Sequence, residues 1–94
     1  MYKLVETSRF RKDVKRIFKR SRYDFEMTFE VLEILKLKGV DGVPITMKSH
    51  RLKGNYRDNW ECHIKPDLLI IWIQIEAPKT IKLIRLGSHS DLFK

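Results

Sequence analysis

The stretch from Trp60 to Ile75 constrains the fold of this chain most, because it has the pattern of two strands joined by a tight turn. Residues Trp60–Ile64 alternate in polarity, as a strand with one buried face does. Pro66 cannot donate to a sheet ladder and fixes its own φ, which predicts a turn over residues 64–67. The run Leu68–Ile75 is apolar at every position but one and rich in β-branched residues. This composition is typical of a strand covered on both faces, so a hairpin is expected at the centre of the fold.

The rest of the chain supplies two helices and two further strands around this hairpin. Apolar residues recur at helical spacing in two segments, and strand-like segments lie near both ends of the chain. The predicted elements are a strand Tyr2–Glu6, a helix Arg9–Arg20 capped by Thr7 or Ser8, a mostly buried helix Asp24–Lys38 capped by Asp24, and a strand Thr80–Leu86. The order β-α-α-β-β-β predicts an α+β fold in which two N-terminal helices pack on a small twisted antiparallel β-sheet. A length of 94 residues suits one modest core, so residues 1–94 are expected to form a single domain.

The charge of the chain indicates the kind of partner that it meets. Lys and Arg number 20 against 12 Asp and Glu, which gives a net charge of +8. Such a basic domain is expected to bind a polyanion or an acidic protein. No apolar run approaches the ~20 residues that span a bilayer, and no signal peptide is evident, so a membrane partner is not expected. The single cysteine, Cys62, falls on the predicted core face and fits a reducing compartment, which predicts a cytoplasmic protein.

The predicted helix Arg9–Arg20 carries its basic residues on the face opposite its apolar stripe. A solvated helix surface is the simplest interpretation of such a run of charges. Asp13, however, is the one acidic residue within the run, so pairing along the helix cannot neutralise it. A surface for RNA phosphates or for an acidic protein is therefore favoured. The residues concerned are Arg11, Lys12, Lys15, Arg16 and Lys19.

All three histidines of the chain lie in its second half, at loops or strand ends. With Asp67, the side chains of His50, His63 and His89 are candidates to converge on one open face of the sheet. Histidines that titrate near neutral pH can move the protons that RNA cleavage through the 2′-OH requires. A zinc site is the alternative, but the closely spaced His and Cys pairs that usually mark one are missing. The pattern suits cleavage of RNA without a metal, and histidines that are ordinary surface residues at strand ends are the other alternative.

Arg85 is the candidate for the phosphate group. A guanidinium binds a phosphate through two parallel hydrogen bonds and stabilises the charge that grows in a phosphorane. Period 2 along its strand predicts that Arg85 shares a face with Ile81 and Leu83. A structural ion pair with Asp67 or Asp91 is the alternative role.

Three segments in the second half of the chain resemble the YafQ branch of the RelE-type toxins of bacterial type II toxin–antitoxin systems. They are SHRLKG at 49–54, ECHIKPDLLIIW at 61–72 and RLGSHSDLF at 85–93. They follow the family patterns His-x-Leu-x-Gly, Cys-His-Ile/Val-x-Pro-Asp and Arg-x-Gly-Ser/Thr-His in that order. The resemblance implies a metal-independent endoribonuclease, without a cofactor, that cleaves mRNA on the ribosome and so inhibits translation. It also implies a cognate antitoxin, which the basic charge of this chain predicts to be acidic.

The resemblance further implies roles for the candidate catalytic residues. His89 is implied to be the general acid at the 5′-oxygen. One of His50, His63 and Asp67 is implied to take the 2′-OH proton, and the sequence does not decide between them. Arg85 is implied to stabilise the phosphorane.

Further residues are implied to contact the substrate or the ribosome. Phe93 suits stacking on a base, and packing of the C-terminus onto the sheet is the alternative. Leu68 replaces an aromatic residue found in some family members, so no base stacking is expected there. Residues expected near the mRNA are Lys48, Arg51, Lys53 and Arg57, and those expected at ribosomal RNA are Arg11, Lys12, Lys15, Arg16 and Lys19.

Two other functions stay open from the sequence. The first is a toxin of the same fold that inhibits DNA gyrase and cleaves nothing, although gyrase-directed relatives lack this set of histidines. The second is a non-catalytic module that binds RNA or protein. This second function predicts that replacing His89 changes nothing, whereas a nuclease loses cleavage and retains binding.

Overall fold

The predicted hairpin lies inside a five-stranded sheet with two helices packed on one face. The computed structural model describes residues 1–93. In chain order the elements are β1 (Lys3–Glu6), α1 (Ser8–Arg20), α2 (Arg22–Lys38), β2 (His50–Arg51), β3 (Trp60–Lys65), β4 (Leu68–Glu76), β5 (Lys79–Gly87) and α3 (His89–Leu92). Short 3-10 turns lie in the connections on either side of β2. The α+β class predicted from the sequence is confirmed.

The strands follow the order β1-β5-β4-β3-β2, and β3, β4 and β5 form the predicted antiparallel meander. β1 pairs in parallel with β5, in the register that places Leu4 opposite Ile81. The sheet is therefore mixed, so the expectation of a wholly antiparallel sheet is wrong at this edge. The sequence prediction also omitted β2, which pairs with Glu61 and Trp60 of β3. The pairing of β1 with β5 joins distant parts of the chain, and β2 is only two residues long. Local polarity patterns therefore predict neither pairing.

Two hydroxyl side chains set where the helices begin. Thr7 caps α1: its Oγ1 accepts from the Phe10 amide at 3.2 Å and donates to the Leu83 carbonyl at 2.8 Å. Ser21 caps α2 by accepting from the Asp24 amide at 3.1 Å. The prediction of Asp24 as the cap is wrong, because α2 begins directly after Ser21. None of the helices in residues 1–93 has the length and apolar composition of a membrane-spanning segment.

The main core lies between the helices and one face of the sheet. Phe10 of α1 and Leu35 of α2 are fully buried in it. Cys62 is buried there as its strand position predicts, and burial raises the pKa of its thiol to about 12. α2 is less buried than its composition predicts, since Phe29 and Leu37 are 58% and 60% exposed. The core covers one face of the sheet and leaves the other face to a second cluster.

The opposite face of the sheet carries a smaller apolar cluster. Leu69 and Ile71 of β4 are fully buried there, against Leu92 of α3. The partly buried residues that pack around them are Leu52, Tyr56 and Ile84. β4 is therefore covered on both faces over residues 68–72, as its composition predicts, and becomes exposed toward its end.

An irregularity in the pairing of β4 with β5 changes the face that Arg85 occupies. Trp72 pairs with Leu83, whereas the preceding Ile71 pairs with Arg85, so Ile84 is an extra residue in β5. Trp72 and Leu83 belong to the main core, and Ile71 belongs to the smaller cluster. Arg85 accordingly lies on the face of Ile71. The expectation that Arg85 shares the face of Leu83 is wrong, because a bulge breaks the period of two.

A group of charges and hydrogen bonds fastens α3 to the end of α1. The Asp91 amide donates to Ser88 Oγ at 3.1 Å, and the Ser88 amide donates to Asp91 Oδ2 at 3.0 Å. Arg20 donates to the same carboxylate at 3.1 Å, and Arg16 lies 3.6 Å from it. A side chain at Gly87 would come within 2.9 Å of both Arg16 and Asp91, so glycine permits this approach. We call the residues Arg16, Arg20, Ser88 and Asp91 the C-terminal clasp.

Replacing Asp91 by Asn tests the clasp. The Ser88 amide is the largest cause that lowers the pKa of Asp91 to about 2, with Arg20 as a further cause. A carboxylate whose pKa falls on folding stabilises the fold above its ordinary pKa, and this contribution is lost as the pH falls through the folded-state value. We expect Asp91→Asn to lower the free energy of unfolding at neutral pH by ~2 kcal/mol, and the difference from wild type to shrink from about pH 4 downward. Urea unfolding across this pH range measures the effect.

Glu30→Gln is the matched control, because it removes a negative charge from an exposed position of α2. This variant is expected to be as stable as wild type throughout the range. A stability loss in Asp91→Asn that stays constant between neutral pH and about pH 2 would contradict the role given to the carboxylate.

Candidate active site

The three histidines lie in a row on the face of the sheet that carries the smaller cluster. His63 is opposite Leu69 of that cluster, and His50 is opposite Glu61 in the pairing of β2 with β3. His89 opens α3 directly after β5. The ring centroids of His50 and His63 are 6.4 Å apart, and those of His63 and His89 are 5.8 Å apart. The structure thus brings together side chains from three separate parts of the sequence.

His50 is held at both of its ring nitrogens. Its Nδ1 lies 2.9 Å from the carbonyl oxygen of Lys48, and its Nε2 lies 3.3 Å from Oε1 of Glu61. Lys48 has a left-handed backbone with a φ of 55°, a conformation that is costly for a residue with a Cβ. Since both nitrogens face oxygen acceptors, the ring donates to both only when it carries two protons.

Glu61 is a buried carboxylate between two of the histidines. It is 4% exposed, and its Oε1 lies 3.3 Å from His50 and 3.8 Å from His63. Its Oε2 is buried without a hydrogen-bond partner within residues 1–93. A buried carboxylate oxygen without a partner lowers the stability of the fold. The sequence analysis gave Glu61 no role. The available signal was the alternating pattern of Trp60–Ile64, which puts Glu61 on the same strand face as His63.

Asp67 holds His89 in place. Its Oδ1 accepts from the backbone amide of His89 at 3.0 Å and lies 2.8 Å from Nδ1 of the ring. The hydrogen bond from that amide is the largest cause that lowers the pKa of Asp67, followed by the bond from the ring. A carboxylate with a lowered pKa is a weaker base, so this geometry suits orientation of His89 better than proton abstraction. The ring presents Nε2 as the nitrogen without a hydrogen-bond partner among the described residues.

Arg85 forms an ion pair with a partner that the sequence did not indicate. Its Nε donates to Oδ2 of Asp13 at 2.8 Å, and its Nη2 donates to Oδ1 at 3.3 Å. Asp67 and Asp91, the two partners expected from the sequence, do not contact Arg85 within residues 1–93. The third nitrogen, Nη1, lies 3.5 Å from the hydroxyl of Tyr56. Arg85 is 8% exposed, so it reaches the histidine face from within the structure.

Phe93 lies at the edge of the site, beside His89. Its ring packs edge-on against Tyr56, with centroids 5.9 Å apart, and lies 6.4 Å from the ring of His89. It remains 45% exposed. One side of the ring therefore packs on the fold, and the other is open to a ligand.

The cationic residues predicted near the substrate lie on the β2 side of the site. Lys48, Arg51 and Lys53 are exposed, and Arg51 stacks over Trp60 at 5.3 Å from the ring centroid. Lys48 and His63 line one groove of about 580 Å³, whose other lining residues are Thr46, Met47, Ile64, Lys65 and Pro66. The groove opens beside the middle histidine of the row.

The predicted ribosome-binding residues of α1 fall into two groups. Arg11, Lys12, Lys15 and Lys19 are exposed and make no ion pair within residues 1–93. Arg16 instead donates to the Leu86 carbonyl at 3.1 Å and pairs with Asp13 at 3.1 Å. Its guanidinium therefore serves the packing of α1 on β5 as well as the C-terminal clasp.

A zinc site is the alternative use of the histidines that the sequence left open. No group of three or more His, Cys, Asp and Glu side chains in residues 1–93 has an arrangement that would hold a metal ion.

Comparison with known proteins identifies the family. Residues 2–94 match the family of bacterial YafQ toxins of type II toxin–antitoxin systems. This chain belongs to that family. A metal-bound toxin from Helicobacter pylori is 35% identical, with 99% of this chain and 100% of that chain covered and a TM-score of 0.85. The resemblance inferred from the sequence motifs is confirmed.

Two solved structures from Escherichia coli share the fold of this toxin. YafQ itself is 23% identical over the full length of both chains, with a TM-score of 0.88. The toxin in the DinJ-YafQ toxin–antitoxin complex is 25% identical, with 99% of this chain and 98% of that chain covered and a TM-score of 0.86. A search of curated proteins gave no match.

Replacing Glu61 by Gln tests whether its carboxylate is kept at a cost to stability. We expect Glu61→Gln to leave the free energy of unfolding at pH 8 unchanged or to raise it by up to ~1 kcal/mol, because a buried charge with an unpaired oxygen is removed. Chemical denaturation measures the difference.

Glu76→Gln is the contrasting control. Gln74 and Tyr2 donate to the Glu76 carboxylate at 2.9 and 2.8 Å, and these bonds lower its pKa. Since folding favours the charged form of Glu76, its neutralisation should destabilise the fold at pH 8. Equal destabilisation by the two substitutions would show that Glu61 is an ordinary structural carboxylate.

Proposed function

We propose that this toxin is an endoribonuclease that cleaves mRNA on the ribosome through the 2′-OH and so inhibits translation. The observation that carries the proposal is the geometry of His89. Its Nδ1 and backbone amide are both held by Asp67, while its Nε2 has no hydrogen-bond partner among residues 1–93 and, in the doubly protonated ring, carries the proton that the leaving group needs. A histidine held by a carboxylate in this way is suited to act as a general acid. His89 therefore protonates the 5′-oxygen as it leaves.

His63 is the proposed general base for the 2′-OH. It lies between the other two histidines and is next to His89, with ring centroids 5.8 Å apart. Asp67 is the weaker candidate, because its pKa is lowered and its Oδ1 is already bonded to His89. Once His63 has taken the proton, the carboxylate of Glu61 at 3.8 Å stabilises the imidazolium that forms.

Arg85 and His50 are proposed to stabilise the phosphorane. The extra negative charge of this intermediate requires fixed donors in a site with little water. Nη1 of Arg85 is the part of the guanidinium that Asp13 leaves free. The Nε2 of His50 lies on the same row, beside Glu61. These steps move protons between histidines and substrate and call for no cofactor.

The basic residues around the site are proposed to bind the mRNA and the ribosome. Lys48, Arg51 and Lys53 lie on the β2 side and suit the mRNA backbone. Phe93 offers the exposed part of its ring to a base. The exposed cations of α1, Arg11, Lys12, Lys15 and Lys19, suit the phosphates of ribosomal RNA. Such a target places the toxin in the cytoplasm.

An acidic antitoxin is the proposed protein partner. Membership of a toxin–antitoxin family and a net charge of +8 both support it. An acidic chain that folds over α1 would neutralise the exposed cations and compete with RNA for them.

Replacing His89 by Ala tests the proposed activity. We expect wild-type toxin to arrest growth and produce discrete cuts within mRNA codons, mapped by primer extension, and His89→Ala to lose the cuts while retaining ribosome binding. Losing a general acid should slow single-turnover cleavage by about 10²–10⁴-fold. Cleavage on purified ribosomes should persist when transition metals are chelated and Mg²⁺ is kept.

Glu30→Gln is again the control, since Glu30 is exposed on α2 away from the histidine row, and it should cleave as wild type does. Arrest of growth with intact mRNA in both wild type and His89→Ala would overturn the proposal. That result would favour inhibition of gyrase or a non-catalytic binding function.

The salt dependence of ribosome binding tests the role of α1. We expect the combined substitution of Lys12, Lys15 and Lys19 by Gln to weaken binding and to reduce the log–log salt slope by ~1 for each lost phosphate contact. Replacement of the exposed Lys36, Lys38 and Lys82 by Gln is the control with the same change in charge. An equal loss of affinity and slope in both variants would assign the effect to net charge and remove the special role of α1.

A further inference from the structure

We propose that Asp13 is a positioning residue for the reaction: it holds the Nε/Nη2 edge of Arg85 so that the end of the guanidinium that carries Nη1 meets the phosphate. The proposal rests on the endoribonuclease function above. Asp13 does not lie in the histidine row and contacts no group of it within residues 1–93. It would act on the reaction through the guanidinium of Arg85.

The contacts of Asp13 fix the guanidinium in two directions. Oδ2 accepts from Arg85 Nε at 2.8 Å, and Oδ1 accepts from Nη2 at 3.3 Å. Two parallel bonds of this kind set the plane of the guanidinium as well as its distance. Asp13 itself is 2% exposed. The ion pair is therefore shielded from water. Its geometry is held more firmly than that of an ion pair on the surface, because charges attract more strongly in the protein interior.

Asp13 is in turn held by the backbone of the sheet. The amide of Leu86 donates to Oδ2 at 2.9 Å, and Arg16 lies 3.1 Å from Oδ1. The carboxylate is thus bound to the strand that carries Arg85 and to the helix from which it projects. With its donors fixed, the carboxylate has little freedom to follow a guanidinium that moves toward substrate.

This arrangement limits what Arg85 can offer to a phosphate. Nε and Nη2 face Asp13, so the familiar two-bonded grip on a phosphate is not open to that edge. Nη1 lies 3.5 Å from the hydroxyl of Tyr56, which packs on the smaller cluster and against Phe93. Tyr56 marks the direction in which Nη1 points. The phosphate is accordingly expected beside the Tyr56 hydroxyl, on the side of the site where Phe93 lies.

The test compares Asp13→Asn in two backgrounds by single-turnover cleavage of mRNA on purified ribosomes. In wild type, we expect Asp13→Asn to slow cleavage by about 10²-fold, as misplacement of a catalytic group does, with ribosome affinity unchanged. In Arg85→Lys, which keeps the charge and loses the paired donors, we expect slow cleavage that Asp13→Asn does not slow further. Glu33→Gln, an exposed change on α2, is the control and should cleave as wild type does.

Three outcomes would overturn the proposal. The first is an Arg85→Lys variant that cleaves as fast as wild type, which would show that the charge at this position suffices. The second is an equal loss of rate from Asp13→Asn in both backgrounds, which a purely structural role predicts. The third is an Asp13→Asn variant that cleaves as wild type does.

A readout without cleavage separates this proposal from the proposed function. The Nε–H signal of Arg85 is followed by NMR while an RNA trinucleotide with one 2′-deoxyribose, which cannot be cleaved through that position, is added to the toxin. We expect the Arg85 signal of wild type to shift on binding, and that of Asp13→Asn to exchange rapidly with water and show no saturable shift. If wild type cleaves nothing but this difference is present, the nuclease fails and the positioning role stands. Identical titrations in the two proteins would sink the positioning role.

Discussion

The packing of α1 and the shape of the site both depend on the contacts of the buried Asp13 carboxylate. A buried charge is costly unless polar partners surround it, and here Arg85 and the Leu86 amide donate to it while Arg16 forms an ion pair with it. The Leu86 amide is available because β1 ends opposite Leu83, which leaves the last part of β5 without a strand on that side. A side chain from α1 therefore takes the place of a strand neighbour. The same carboxylate holds the guanidinium of Arg85 through two hydrogen bonds.

Local patterns predicted most of the elements and the grouping of the histidines. The turn at Pro66, the buried run that follows it and the Thr7 cap are all encoded within a few neighbouring residues. The alternating pattern sets the strand face of His63, and His89 lies just beyond the end of β5. The antiparallel meander alone therefore predicts that the two histidines lie close together. Family membership could be inferred because three motifs of the same second half occur in order. The residue roles within the site remain predictions.

The features that sequence reasoning missed depend on contacts between distant segments. The parallel pairing of β1 with β5 joins the two ends of the chain, and no local pattern signals it. The extra residue Ile84 moves Arg85 to the other face of the sheet, which period 2 cannot anticipate. In the sequence, Asp13 stands out only as the one acidic residue within the basic run of the predicted helix. Glu61 appears only as a polar residue of a strand with alternating polarity. Burial, which gives both carboxylates their importance, is a property of the assembled fold.

The short helix α3 has a consequence for how the toxin can be silenced. Four residues are too few to form a stable helix alone, so α3 keeps its place through Leu92 and the C-terminal clasp. It carries His89, and Phe93 follows it. A partner that peels α3 from the sheet would separate His89 from Asp67 and Phe93 from Tyr56, and the five strands would stay paired. Opening of α3 alone would therefore take the histidine row apart without unfolding the sheet.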